Sequence, residues 1–217
     1  MWNEKTKPFV ADGKLVVIGI VQEQHAERAR LYKQWKQYDF PIAQDAVTSL
    51  GLAVVPVPIM IDEYGYLMTA RPRVDDIEEL VALKRKAPWK PAPKLNPDHR
   101  TSTWLVANAP KDSAEAASVV GDAFLRERTI DSVRKAVDYY TTSLEGAEIE
   151  GDEPLIGMAL FRLGVAHRTL FDLANESDND PDDFTKAAEF WTSALKNNPN
   201  QYIWRRRIQQ YGPRQDK

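Results

Sequence analysis

His25, His99 and His167 are the only histidines in the chain, and no two of them share the spacing of a metal-ligand pair. Cysteine is absent, which removes thiolate nucleophiles, disulfides and thiolate metal ligands together. Asp178, Asp180, Asp182 and Asp183 offer oxygen ligands to a calcium ion, but the loop spacing that ends in a bidentate glutamate is missing, so a solvated acidic loop is the expectation. Asp75-Asp76 and Glu78-Glu79 suit the positive end of a helix dipole without catalysis. Trp204-Arg205-Arg206-Arg207 has the chemistry to grip a phosphate or an acidic peptide. The plainer expectation is that Trp204 and Ile208 pack inward and the arginines pair with nearby acids. Gly-x-Ser-x-Gly, Gly-x-Gly-x-x-Gly and Walker-type loops are absent. These residues therefore lead to no catalytic residue, no metal site and no cofactor. What is left is a stretch whose chemistry belongs to the backbone, Leu52-Ala53-Val54-Val55-Pro56-Val57-Pro58-Ile59-Met60-Ile61-Asp62-Glu63-Tyr64-Gly65.

Over the whole chain, 43% hydrophobic and 28% charged residues are enough for a real core, and 217 residues fit one large domain or two small ones. A formal net charge of −3 argues against a general nucleic-acid binder. The longest proline-free apolar run, Leu15 to Val21, is far short of the roughly 20 residues of a membrane span. No basic, then apolar, then small-residue leader opens the sequence, so no signal peptide is read, and the compartment stays open.

The elements that must hold the backbone stretch follow from periodicity. Residues 15–21 are β-branched and apolar on both faces, which predicts a strand buried in a parallel sheet. From His25 to Tyr38 a helix is predicted, with Arg28, Leu31, Trp35 and Tyr38 on one stripe. Asp45 caps a short turn or helix through Leu50, ending at Gly51. A strand from Pro56 to Ile61, a turn at Asp62–Gly65 and a strand from Tyr66 to Ala70 come next, then a helix from Val74 to Lys86. Prolines 88, 91, 93, 97 and 110 predict a linker free of helix and central strand, with Trp89 and Trp104 packing it onto a neighbour. Beyond Pro110, helices are predicted at about 114–126, 130–145, 154–173, 183–197 and 200–210, the first capped by Asp112 or Ser113. The fold class is two-domain: an N-terminal α/β domain at 1–86, the linker at 87–111, and an all-α domain at 112–217.

Inside the helical part a pattern repeats. Leu160-x-x-Leu163-Gly164-x-x-His167 precedes Ala187-x-x-x-Trp191-x-x-Ala194-x-x-x-x-Pro199, and Ala117-x-x-Val120-Gly121-x-x-Phe124 precedes Ala136-x-x-x-Tyr140-x-x-Ser143. Both units resemble the tetratricopeptide pattern, in which small residues let two antiparallel helices approach and large ones fill the groove between them. They depart from it in length, since the glycine-to-alanine spacing exceeds the regular repeat in both. The resemblance implies helical hairpins with Phe124, Tyr140, His167 and Trp191 at groove positions, and protein–protein interaction as the work.

The Leu52–Gly65 stretch resembles the cis-proline hairpin of thioredoxin-like proteins. Residues 14–86 as a whole are similar to the later two thirds of the TlpA/ResA-like branch of thiol–disulfide oxidoreductases. Pro56 matches the cis-proline position, Val55 the residue before it, and Asp62–Gly65 the hairpin turn; Pro58 is an extra proline. The resemblance implies that Val55, Pro56 and Val57 present backbone groups to an extended protein or peptide partner. Its cysteine chemistry has no counterpart here. Its first strand has none either, which implies an incomplete sheet with two unpaired inner edges. Three accounts stay open: a start that falls late, with a cysteine motif upstream; a strand donated by another chain; or a sheet that closes up without it. The expectation is a redox-inactive protein-binding module. Its rival is a thiol–disulfide oxidoreductase whose active cysteines lie in an N-terminal part missing from this chain.

Overall fold

Prolines and glycines mark several of the element ends. The computed structural model describes residues 2–83, 96–174 and 180–209. The chain divides into two compact units, Met1–Leu50 with Val54–Lys94, and Gly51–Ala53 with Leu95–Lys217.

The first unit is α/β. Helix α1 (Trp2–Ala11) leads to strand β1 (Gly19–Val21), helix α2 (Ala26–Lys36), strands β2 (Ile42–Gln44), β3 (Ile59–Ile61) and β4 (Leu67–Ala70), a 3₁₀ turn (Val74–Asp76) and helix α3 (Ile77–Ala82). Two separate two-stranded sheets result. β1 and β2 run parallel with Ile20 opposite Ala43, whereas β3 and β4 run antiparallel with Met60 opposite Thr69. Three expectations need correction. The strand predicted over residues 15–21 spans only Gly19–Val21 and is not buried: Val16 is 79% exposed, and Ile18 and Ile20 are exposed with it. Strand β2, unforeseen, covers one edge of β1, and nothing pairs with the other among the described residues. The strand predicted from Pro56 starts at Ile59, because Pro56 and Pro58 lack the N–H a ladder needs. The helix predicted to Lys86 begins as a 3₁₀ turn and ends at Ala82; its last predicted residues lie outside the described ones.

The Asp62–Gly65 turn forms as expected. Asp62 Oδ1 accepts from the Tyr64 and Tyr66 amides at 3.0 and 2.9 Å, and Gly65 takes φ +88°, which a side chain would strain. Asp45 closes the corner before Gly51 by accepting from the Ser49 amide and hydroxyl at 2.9 and 3.1 Å.

The second unit is helical. A 3₁₀ turn (Pro97–Arg100) and helix α4 (Ser102–Asn108) occupy the stretch predicted to be helix-free. Pro97 and Pro110 bracket a proline-free window there, and Thr101 caps it by accepting from the Trp104 amide at 3.3 Å. Trp104 stacks on His99 at 4.2 Å, whereas Trp89 lies outside the described residues. Then come α5 (Ala114–Glu127), α6 (Ile130–Glu150), α7 (Glu153–Leu173), α8 (Pro181–Asn197) and α9 (Tyr202–Gln209). Of the two caps predicted for α5, Ser113 serves, accepting from the Ala116 amide at 3.1 Å. α6 runs past its predicted end at about residue 145 and through Gly146, where it meets Ala114: an added Cβ would sit 3.0 Å from the alanine's. The helix stops at Gly151, φ +70°. Successive helices pack on one another from α5 to α9. The mid-length of α7, from Phe161 to His167, is buried on every side.

Candidate functional site

Two places in the molecule carry the residues singled out by sequence, one in each unit. In the first, Val55, Pro56 and Val57 lie in the irregular segment just before β3, with Val55 and Pro56 exposed and Val57 half-buried. The Val55–Pro56 peptide bond is cis. Next to them the Arg71 amide donates to the Pro58 carbonyl at 2.8 Å, so the segment extends the β3–β4 hairpin by one rung. Two strand edges of the same unit matter more. β1 is bonded to β2 alone and β3 to β4 alone among the described residues, so each leaves a row of backbone donors and acceptors open. Around those edges the exposed side chains are apolar: Val16, Ile18 and Ile20 on and before β1, and Ile59, at 50% exposure, with Ile61 on β3. Sequence reasoning found β1 and β3 but not their exposure, since an apolar run reads the same whether or not something covers it.

In the second unit the structure brings the four predicted groove residues into the interior. Tyr140 is wholly buried against Gly121, where a Cβ would stand 2.5 Å from its ring, and Trp191 lies equally close over Gly164. The two hairpins α5–α6 and α7–α8 thus share one construction: a glycine on the first helix receives an aromatic ring from the second. Ala136 and Ser143 flank Tyr140, Ala187 and Ala194 flank Trp191, and all four are fully buried. Trp191 Nε1 donates to the Phe161 carbonyl at 3.2 Å. Phe124 stacks on Tyr139 at 5.6 Å. His167 stacks on Phe190 at 5.5 Å, and its Nδ1 lies 2.7 Å from Asp183 Oδ1. These side chains hold helices together and offer no open surface.

Sequence reasoning missed the polar knot between the hairpins. Arg162 on α7 reaches α5, where its Nη2 donates to Asp122 Oδ2 at 3.0 Å and its Nη1 to Ser118 Oγ. Tyr140 on α6 donates its hydroxyl to Asp122 Oδ1 at 2.9 Å. Burial first, and then the Asp122 carboxylate, push the Tyr140 phenol well above its usual range. Arg162 Nε and Ser143 Oγ are buried with no hydrogen-bond partner among the described residues. Truncating one side of such a pair costs about 3–5 kcal/mol in general, since the other charge stays buried. The knot ties three helices.

At the C-terminal end Trp204 stacks on Phe161 at 5.2 Å and the Arg207 guanidinium lies 5.9 Å over the same ring, buried. Arg205 donates to the Pro199 carbonyl rather than forming part of a basic grip. Of the predicted acidic loop, Asp178 lies outside the described residues; Asp180 caps α8 by accepting from the Asp182 amide at 2.9 Å. Among the described residues no three metal-ligating side chains converge, and no helix is long and apolar enough to cross a membrane. Comparison with protein-family models, with curated proteins and with solved structures found no match to this chain.

Proposed function

We propose that the chain is a protein-binding module: a thioredoxin-like unit without redox cysteines, followed by a tetratricopeptide-like helical stack that serves as its rigid companion. The observation that carries this is the pair of strands, β1 and β3, each hydrogen-bonded on one side only among the described residues, β1 exposing Ile20 and β3 exposing Ile59 and Ile61. Open backbone edges beside apolar side chains are the chemistry that an added strand satisfies. Main-chain bonds supply the affinity, and alternate side chains supply the choice of partner. The occupant is an extended segment donated by another polypeptide.

The test uses the full chain and a synthetic peptide of about ten residues, alternating valine and threonine, the length of a long strand. Binding should slow hydrogen exchange at residues 19–21 and 59–61, and Ile20→Lys or Ile59→Lys should weaken it, because an edge lysine discourages strand pairing. Unchanged exchange at both edges, or undiminished binding by both variants, rejects the proposal.

A further inference from the structure

Helix α2 buries none of its residues. Ala29 and Lys33, half-buried, form the side turned toward the rest of the unit. Arg28, Leu31, Tyr32 and Trp35 recur at spacings of three and four and so share the opposite face, in solvent. Trp35 is 71% exposed, and Leu31 and Tyr32 are exposed beside it. Of the predicted stripe, Arg28, Leu31 and Trp35 lie on this face, whereas Tyr38 falls beyond the end of α2.

The exposed rings are held in place. Trp35 meets Tyr32 edge-on at 5.9 Å, Tyr32 meets Tyr38 at 6.1 Å, and Tyr38 stacks on Phe40 at 4.8 Å. Phe40 in turn lies so close to Gly19 that a Cβ there would be 3.0 Å from its ring. An aromatic chain therefore runs from β1 out to the tip of the stripe. Lys36 Nζ sits 3.7 Å over the Trp35 ring. Anchors fixed before binding lose little entropy on binding, and tryptophan, tyrosine and arginine are the side chains that dominate interface energy.

Charge selects the occupant. Arg28 and Lys36 stand beside the rings on this face, and the one carboxylate of α2, Glu27, is tied to Arg30 at 2.7 Å. A second copy of the same face would bring like charges together. A lipid surface fits poorly, because three apolar side chains make a narrow stripe and Arg28 lies in line with them. We propose that the outward face of α2 docks an acidic polypeptide segment that carries apolar side chains. This rests on the protein-binding reading, yet it concerns a separate surface and a different partner chemistry from the strand edges.

The experiment titrates the full chain into a fluorescein-labelled helical peptide of about 18 residues (roughly five turns) built from leucine and glutamate, and follows its anisotropy. Saturable binding is expected, weakened at least about tenfold by Trp35→Ala and also by Lys36→Glu, with circular dichroism unchanged because neither side chain is buried. Ile20→Lys and Ile59→Lys should bind this peptide like the parent, which separates this surface from the strand edges. Four results overturn the proposal: no saturable binding; equal binding by Trp35→Ala; loss of binding in the strand-edge variants; or Trp35-dependent binding to phosphatidylserine vesicles, or self-association in the ultracentrifuge, without peptide binding.

Discussion

At the scale of single residues, the chemistry of this chain is spent on holding helices together. Tyr140 shows it best. With its ring against Gly121 and its hydroxyl on Asp122, the phenol is neutral in the fold and costly to ionise there. The unfolded chain releases this proton near pH 10, whereas the folded chain keeps it to higher pH. Below pH 10 both states hold the proton, and the contribution to stability is complete. Above it the unfolded state binds fewer protons, so stability falls by up to about 1.4 kcal/mol per pH unit until the folded group also titrates. Tyr140→Phe should therefore be less stable at pH 8 by about 1.5–3 kcal/mol, the worth of a hydrogen bond to a charged group. It should also lose less on going from pH 8 to pH 11. Urea unfolding of both proteins across that range checks this, and parallel stability curves would sink it.

At the scale of elements, the glycine–aromatic pairs define the two hairpins. In an ordinary exposed helix, glycine to alanine stabilises by about 1 kcal/mol. Gly164→Ala should do the reverse here, destabilising by about 1–3 kcal/mol, since the new methyl lands within 2.9 Å of Trp191 Cγ and nearer still to Cδ1. Gly164→Ala with Trp191→Leu should lose less than the two single changes summed, because the smaller side chain removes the clash. Additive losses in thermal unfolding would refute this close approach. These hairpins were legible because glycine, alanine and a large ring recur within a few turns of one another. Other elements were not. α4 was hidden because the prolines at 88, 91, 93, 97 and 110 are dense along the stretch, yet the gap between Pro97 and Pro110 is long enough for two turns of helix. β2 is three residues with no alternation to detect. The Arg162–Asp122 pair joins separate hairpins, and a lone arginine on an apolar helix gives no sign of where it points. The stripe on α2 was visible, but spacing reports which residues share a face and not what lies against it.

At the scale of the molecule, the two units differ in how they are held. Val47 and Ile77 are the buried hydrophobic side chains of the first unit among the described residues, whereas the second buries Val120, Val133, Tyr140, Phe161, Leu163, Val165, Trp191, Ile203 and Trp204, among others. Burial of apolar surface, at about 25 cal/mol per Å², is the main force favouring a fold, so the first unit should be the less stable of the two. A partner at free concentration L that binds only the folded first unit would stabilise it by RT ln(1 + L/Kd), so strand addition at β1 or β3 would have a thermodynamic consequence as well. Unfolding in urea should accordingly proceed in two steps. Amides of residues 19–21 and 59–61 should exchange first, while far-ultraviolet circular dichroism keeps most of its helical signal and emission from the buried Trp191 and Trp204 stays unchanged. Both should be lost together at higher urea. A single transition by every probe would mean that the units unfold as one and that the first is not the more labile.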